Sequence, residues 1–306
     1  MIVSDRCLPP ALPSALVALI RSEIHGALKG VVTHGGKFVV NDSSWLAQRG
    51  KAFTPVVMND AEHISKRFQQ NLETSFGWTL EHLVEEQKID GYKEFKVTTE
   101  GFYLDETGLK ALIETYWDNK SDFAPLVRGI WPFVVEPSID QLVWWVSQMY
   151  VKRRLHDVSV FPPQYRRFFV STGEVEHTVR VGLEYESGYT ASAYRSLMKL
   201  NVLYAAGCID LGVFVATSKT HAIRLWPVSN RNVNYDELER RRYKRNVYFP
   251  IWEVLFEPDG YSTTAGYLDA GGGTYQPTPT PKSVIHEQVS KPLYTRADGK
   301  FLIQDS

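Results

Sequence analysis

Two glutamates spaced two residues apart, Glu184 and Glu186, have the types and spacing to do chemistry. They lie in Val181-Gly182-Leu183-Glu184-Tyr185-Glu186, which reads as part of a strand. Alternate residues of a strand share a face, so both carboxylates project from the same side. Like charges that close repel unless they face water or share a cation. Mg²⁺, which selects hard oxygen ligands and retains waters, would relieve that repulsion. A solvated acidic strand face is the bland reading of the same spacing.

The elements that must position the pair follow in order. After the pair comes Ser187-Gly188, then a helix expected over 190–206 that carries Arg195 and Lys199 and ends at Gly207, a residue suited to a left-handed cap. The near-continuous apolar run 209–216 then reads as a strand buried on both faces. A further strand is expected over 247–256, and a strand over 157–161 precedes the pair. Towards the N-terminus, helical apolar spacing covers 14–28. A longer helix is expected over 59–84, with Ile64, Phe68, Leu72, Phe76 and Leu80 at four-residue steps. Residues 38–40 read as a short strand. The aromatic-rich stretch 91–154 reads as an inserted subdomain: a hairpin-like piece at 92–103, then helices at 106–117 and 138–152. The Gly-, Thr- and Pro-rich segment 271–281 is expected to be loop.

Taken together, 181–211 resembles the catalytic core of the BamHI-like type II restriction endonucleases. The residues carrying the likeness are the Val181–Glu186 hexapeptide, Gly188, Ala191-Ser192-Ala193, Arg195, Lys199-Leu200 and Ile209-Asp210-Leu211. Weaker likeness runs through Asn230-Arg231, the 234–238 stretch and the 249–256 strand. Upstream, Leu72-Glu73 and Trp78 with Glu81 resemble the family's helix flanking the active site.

The resemblance implies an α/β fold, a mixed central sheet flanked by helices, here with a mostly helical insertion. It divides the chain into an N-terminal helical part (1–90), the insertion (91–154), a catalytic and DNA-reading core (155–275) and a C-terminal tail (276–306). It implies Mg²⁺-dependent hydrolysis of double-stranded DNA by a homodimer at a short palindrome, with Glu184 a metal ligand. Glu186 stands in a motif position where most relatives of the wider nuclease class carry Lys. There it would orient or deprotonate the attacking water. Glu81 would point at the metal from the long helix.

The remaining ligand is an Asp on the neighbouring strand, and two compete. Asp157 lies in a strand-like context one hairpin before the pair and is favoured because adjacent strands need no long excursion. Asp90, in Ile89-Asp90-Gly91-Tyr92-Lys93-Glu94-Phe95, matches the family's local wording better but requires more than eighty inserted residues. For base reading, the resemblance implies Arg195 and Arg231, with Asn230, Tyr189 and Ser192 near them, since Arg to guanine is the commonest specific contact. Tyr189, Ala191 and Asn230 depart from the family pattern, so the target sequence is not carried over. A modification-dependent or repair nuclease on the same fold, or a DNA-binding protein without catalysis, are the other readings. A cognate methyltransferase would accompany an enzyme that cuts unmodified DNA.

Composition sets the outer bounds. The 306 residues, 43% hydrophobic, suit a globular protein with a sizeable core. A net charge of −1 requires any DNA-binding surface to be a local one. The densest basic segment is 240–245, with others at 152–154 and at Arg166-Arg167. Cys7 and Cys208 give neither a disulfide framework nor metal-ligand spacing. No apolar run is long enough to span a bilayer, and prolines at 9, 10 and 13 interrupt the one stretch resembling a signal peptide. A cytoplasmic location is therefore expected, with no membrane partner.

Overall fold

The computed structural model of the chain describes residues 2–7, 12–49, 52–56, 58–84, 86–118, 138–147, 158, 163–186, 190–226, 238, 240–243, 247, 250–279, 293–295 and 301–304. The apolar runs expected to be buried strands form the centre of one six-stranded sheet. Its strands are β1 (Ile2–Cys7), β2 (Thr79–Val84), β3 (Gln87–Tyr103), β4 (Val170–Glu186), β5 (Leu211–Thr217) and β6 (Ile251–Phe256), in the order β1-β6-β5-β4-β3-β2. Strands β4, β5 and β6 run parallel, while β3, β2 and β1 are antiparallel to their neighbours. All of β5 and β6 is buried, as expected of parallel strands covered on both faces.

Helices cover the two faces. On one, α1 (Ser14–Lys29) and α2 (Glu62–Phe76) bury Ile20, Ile24, Ile64, Phe68 and Leu72 against Val181, Leu183, Tyr185, Val213 and Trp252. On the other, α5 (Thr190–Ala205) buries Ala193, Leu197, Leu200 and Tyr204 against Ile209, Phe214 and Ile251. This mixed sheet between helices is the α/β architecture that the sequence resemblance implies. The unit β4–α5–β5 follows the expected strand, helix and strand, and α5 closes at Gly207.

The expected helix over 59–84 is broken. Helix α2 stops at Phe76 because Gly77 adopts φ 68°, and Gly77 and Trp78 donate back to the carbonyls of Glu73 and Leu72. That left-handed closure is cheap for glycine and diverts the chain into β2. Leu80 and Glu81, read as helical from their spacing, therefore sit on the sheet's edge strand, where burial alternates residue by residue.

The hairpin expected within 92–103 is also absent. Those residues belong to β3, which pairs with β4 from Gly91 opposite Leu183 to Tyr103 opposite Val170. The insertion thus departs at the far end of a long two-stranded ribbon. Within it, α3 (Glu106–Asp118) and α4 (Ile139–Val146) match expected helices, the second opened by a Ser138–Gln141 capping box. In the segment expected to be loop, Thr274–Tyr275 pairs with Tyr267–Leu268. Thr278–Pro279 also joins Leu293–Thr295, Phe301–Gln304, Trp45–Arg49 and Ala52–Val56 in a separate five-stranded sheet. The strand expected at 157–161 falls almost wholly outside the described residues.

His221 lies fully buried beyond β5, against Phe38 at 5.7 Å and Phe256 at 6.4 Å between ring centroids. Neither ring nitrogen has a hydrogen-bond partner among the described residues. Burial, with Arg224 nearby, lowers its pKa from 6.5 to about 3. Between those values the unfolded chain binds a proton that the folded chain refuses, so stability is intact above pH 6.5 and falls as pH drops. Acidification from pH 7 to 5 should cost about 2 kcal/mol through this residue. Urea unfolding of His221→Phe at both pH values should show a correspondingly smaller loss.

Candidate active site

The Glu pair faces α5. Along β4, Val181, Leu183 and Tyr185 enter the core beneath α1 and α2, so Gly182, Glu184 and Glu186 take the opposite face. A Cβ at Gly182 would lie 3.2–3.3 Å from atoms of Ile209 and Leu200, so glycine lets α5 and the turn after it close down on the strand. That approach brings Ser192, Ser196 and Lys199 over the two glutamates.

Both glutamates are buried, at 2% and 7% exposure. Each is held differently. Glu186 accepts hydrogen bonds from Ser192 Oγ at 3.0 Å and Ser196 Oγ at 3.2 Å, one on each carboxylate oxygen. Glu184 Oε1 accepts from Lys199 Nζ at 2.6 Å. Buried carboxylates require such partners, because an unpaired charge in a low-dielectric interior is costly.

Strand β3 supplies the third carboxylate. The register that sets Gly91 opposite Leu183 brings Asp90 opposite Glu184, and directly opposed residues of antiparallel strands share a face. Asp90 Oδ2 accepts the Tyr185 backbone N–H at 2.8 Å. Burial raises the Asp90 carboxyl above its usual range, opposed by the Tyr185 N–H. Burial and then the neighbouring Asp90 charge push Glu184 up to about 7, opposed by Lys199.

Of the two candidate aspartates, the structure brings Asp90 to the glutamates. The 181–183 stretch of β4 has β3 on one edge and β5 on the other. Asp157 itself lies outside the described residues. The objection to Asp90, a long excursion inside the catalytic hairpin, is met by the β3–β4 ribbon, which fixes register before the insertion begins.

Glu81 is not on a helix. It lies on β2 at φ 47°, in the register that brings it opposite Asp90. Its side chain is 67% exposed and pairs with Lys88 at 2.8 Å. Its charge still acts on Asp90, raising that carboxyl. Among the described residues, no three His, Cys, Asp or Glu side chains converge as a ready metal cage. Asp90 and Glu184 nonetheless suit Mg²⁺, which is commonly bound by one or two carboxylates with waters and substrate oxygens completing the shell.

The site opens onto a groove of about 510 Å³ lined in part by Gln87, Ser192, Arg195, Ser196 and Lys199. Arg195 is exposed there, while the Ser192 hydroxyl is directed to Glu186. Tyr243 lies 4.9 Å from Tyr194 between ring centroids, which sets the described part of the basic segment, including exposed Arg240 and Arg241, against α5. Tyr189, Asn230 and Arg231 fall outside the described residues, as does the basic stretch 152–154. Reasoning from sequence assigned no role to Ser196 or Lys199. Their signal was present: Ser192, Ser196 and Lys199 recur at four- and three-residue steps, which is one face of a helix.

Residues 157–263 match the family model described as restriction endonuclease BamHI. The match spans roughly a third of the 306 residues and contains β4, α5, β5 and β6. Over this segment the chain is BamHI-like, and the family is one of type II restriction endonucleases. No curated protein matches the chain. No described helix is long and apolar enough to cross a membrane.

The mutual effect of the two opposed acids is measurable in the metal-free protein. Asp90→Asn keeps an oxygen for the Tyr185 N–H but removes the charge, so the Glu184 pKa should fall below about 7. Carboxyl ¹³C chemical shifts followed through a pH titration would read it, and an unchanged value would count against the coupling.

Proposed function

We propose that this BamHI-like chain is a type II restriction endonuclease that hydrolyses phosphodiesters of double-stranded DNA with Mg²⁺. The observation carrying this reading is the cross-strand Asp90–Glu184 pair, set beside a serine-held Glu186 and largely within the segment that matches the family. Asp90 and Glu184 would hold the cation. When bound, Mg²⁺ supplies Lewis acidity towards a phosphodiester.

The chain's own groups supply the rest. Glu186 is anchored by Ser192 and Ser196, one on each carboxylate oxygen. It is thus fixed as a base that takes the proton of an attacking water. Arg195 stands at the groove, where a guanidinium can read guanine or contact phosphate, and Arg240 and Arg241 extend the positive surface. Arg231, with Asn230 and Tyr189, is proposed as the second reading group. Hydrolysis would leave a 5′-phosphate and a 3′-hydroxyl.

A palindromic target is most simply matched by two-fold protein symmetry, so the active form is proposed to be a homodimer. A methyltransferase acting on the same sequence would protect the host, and the reaction belongs in the cytoplasm, where that DNA lies.

Purified protein with Mg²⁺ should cut a mixed-sequence plasmid into discrete fragments whose sequenced ends share one site and stagger. Glu184→Ala should abolish cleavage, a loss of at least 10³-fold if the group is essential, while retaining DNA binding in a gel-shift assay. Normal cutting by that variant would remove the assignment. Asp90→Asn should likewise be inactive and Asp157→Asn active, and the opposite pattern would restore Asp157 as the ligand.

A further inference from the structure

Lys199 is placed where a metal would be expected to act. Its Nζ lies 2.6 Å from Glu184 Oε1 and 2.6 Å from the Lys88 carbonyl oxygen. Its charge also acts on Asp90, favouring that carboxylate. The ammonium therefore pairs with Glu184 directly and acts on Asp90 through its charge. The Lys199 side chain is 22% exposed against 3% for Glu184, and it lines the groove. The ammonium thus reaches the carboxylate from the open side. A dication bound to the same acids would repel an ammonium at contact distance strongly in a poorly solvated site. Lysine's flexible four-carbon stem lets the charge move without moving the helix. The groove beside it, about 510 Å³, has room to receive the displaced side chain.

We propose that Lys199 is a positioning residue that stands in for the metal: in the metal-free protein its ammonium occupies the place beside Glu184 and Asp90 that a divalent cation takes, and cation binding displaces it into the groove. The inference rests on the reading of Asp90 and Glu184 as metal-holding carboxylates. It gives buried Glu184 and half-buried Asp90 a counter-charge before metal arrives and lowers their affinity for it. Displaced, the ammonium joins Arg195 on the side from which an anionic phosphodiester must approach.

Mn²⁺ titrated into the metal-free protein without DNA, with free ion read by electron paramagnetic resonance, tests this. Lys199→Met should bind Mn²⁺ on the order of tenfold more tightly than the unaltered chain, since a competing charge is gone. Lys199→Arg, which keeps the charge, should stay near the original affinity. Lys199→Gln retains a donor for the Lys88 carbonyl and should tighten binding as Lys199→Met does, giving a second variant should Lys199→Met fold poorly. Equal or weaker affinity in the neutral variants, with or without a lower Tm, overturns the proposal. If Mn²⁺ binding is still lost in Glu184→Gln, the metal reading survives that outcome. Absence of any Glu184-dependent Mn²⁺ binding overturns both.

Discussion

The pairing of Gly91 with Leu183 decides which side chains can meet at this site. Antiparallel register is quantised: a slip of one residue sends every side chain of a strand to the other face. Continued one residue beyond Gly91, this register sets Asp90 beside Glu184, and the Tyr185 N–H reaches the Asp90 carboxylate. A slip would put Gly91 or Ile89 opposite Glu184 and turn Asp90 into the core beneath α1 and α2. That register is held along the ribbon as far as Tyr103 opposite Val170, with one irregularity near Gly101. On the core side of β3, a buried ion pair strengthens it. Lys93 Nζ lies 2.7 Å from Glu23 Oε1 on α1, and Trp78 donates to the same carboxylate.

Charge explains the arrangement over α5. A sheet that turns two glutamates and an aspartate towards one helix must find them partners, and that helix answers with two serines and a lysine. The serines give Glu186 neutral hydrogen bonds that fix its orientation. Lys199 gives Glu184 a full counter-charge. The adjacent carboxylates are thereby distinguished by environment, one held by hydroxyls and one by an ammonium. Separating paired titratable groups in this way is how a single fold assigns them different roles.

The ribbon of β3 and β4 illustrates how a long excursion can begin far from a site. Loop-closure entropy grows only logarithmically with length, so dozens of added residues cost little if both ends are already pinned. Here the ends emerge from the distal end of the ribbon, about a dozen residue pairs from Asp90 and Glu184. Strand β4 records the distance in its burial, exposed through its first half and buried through its second.

The sequence by itself determined the local periodicities and the near-neighbour chemistry. The Val181–Glu186 alternation put both glutamates on one face, the apolar run after Gly207 made a doubly buried strand, and 190–206 made a helix bearing Ser192, Arg195 and Lys199. Each of those follows from steric and solvation preferences acting within a few residues. Only the tertiary structure brings Asp90 to Glu184, because strand adjacency is a pairing across some ninety residues that no local pattern encodes. The same holds for Glu81, whose four-residue spacing mimicked a helix until Gly77 took a left-handed conformation. It holds too for Lys199, whose charge acquires meaning only when Gly182 lets the helix settle over the strand.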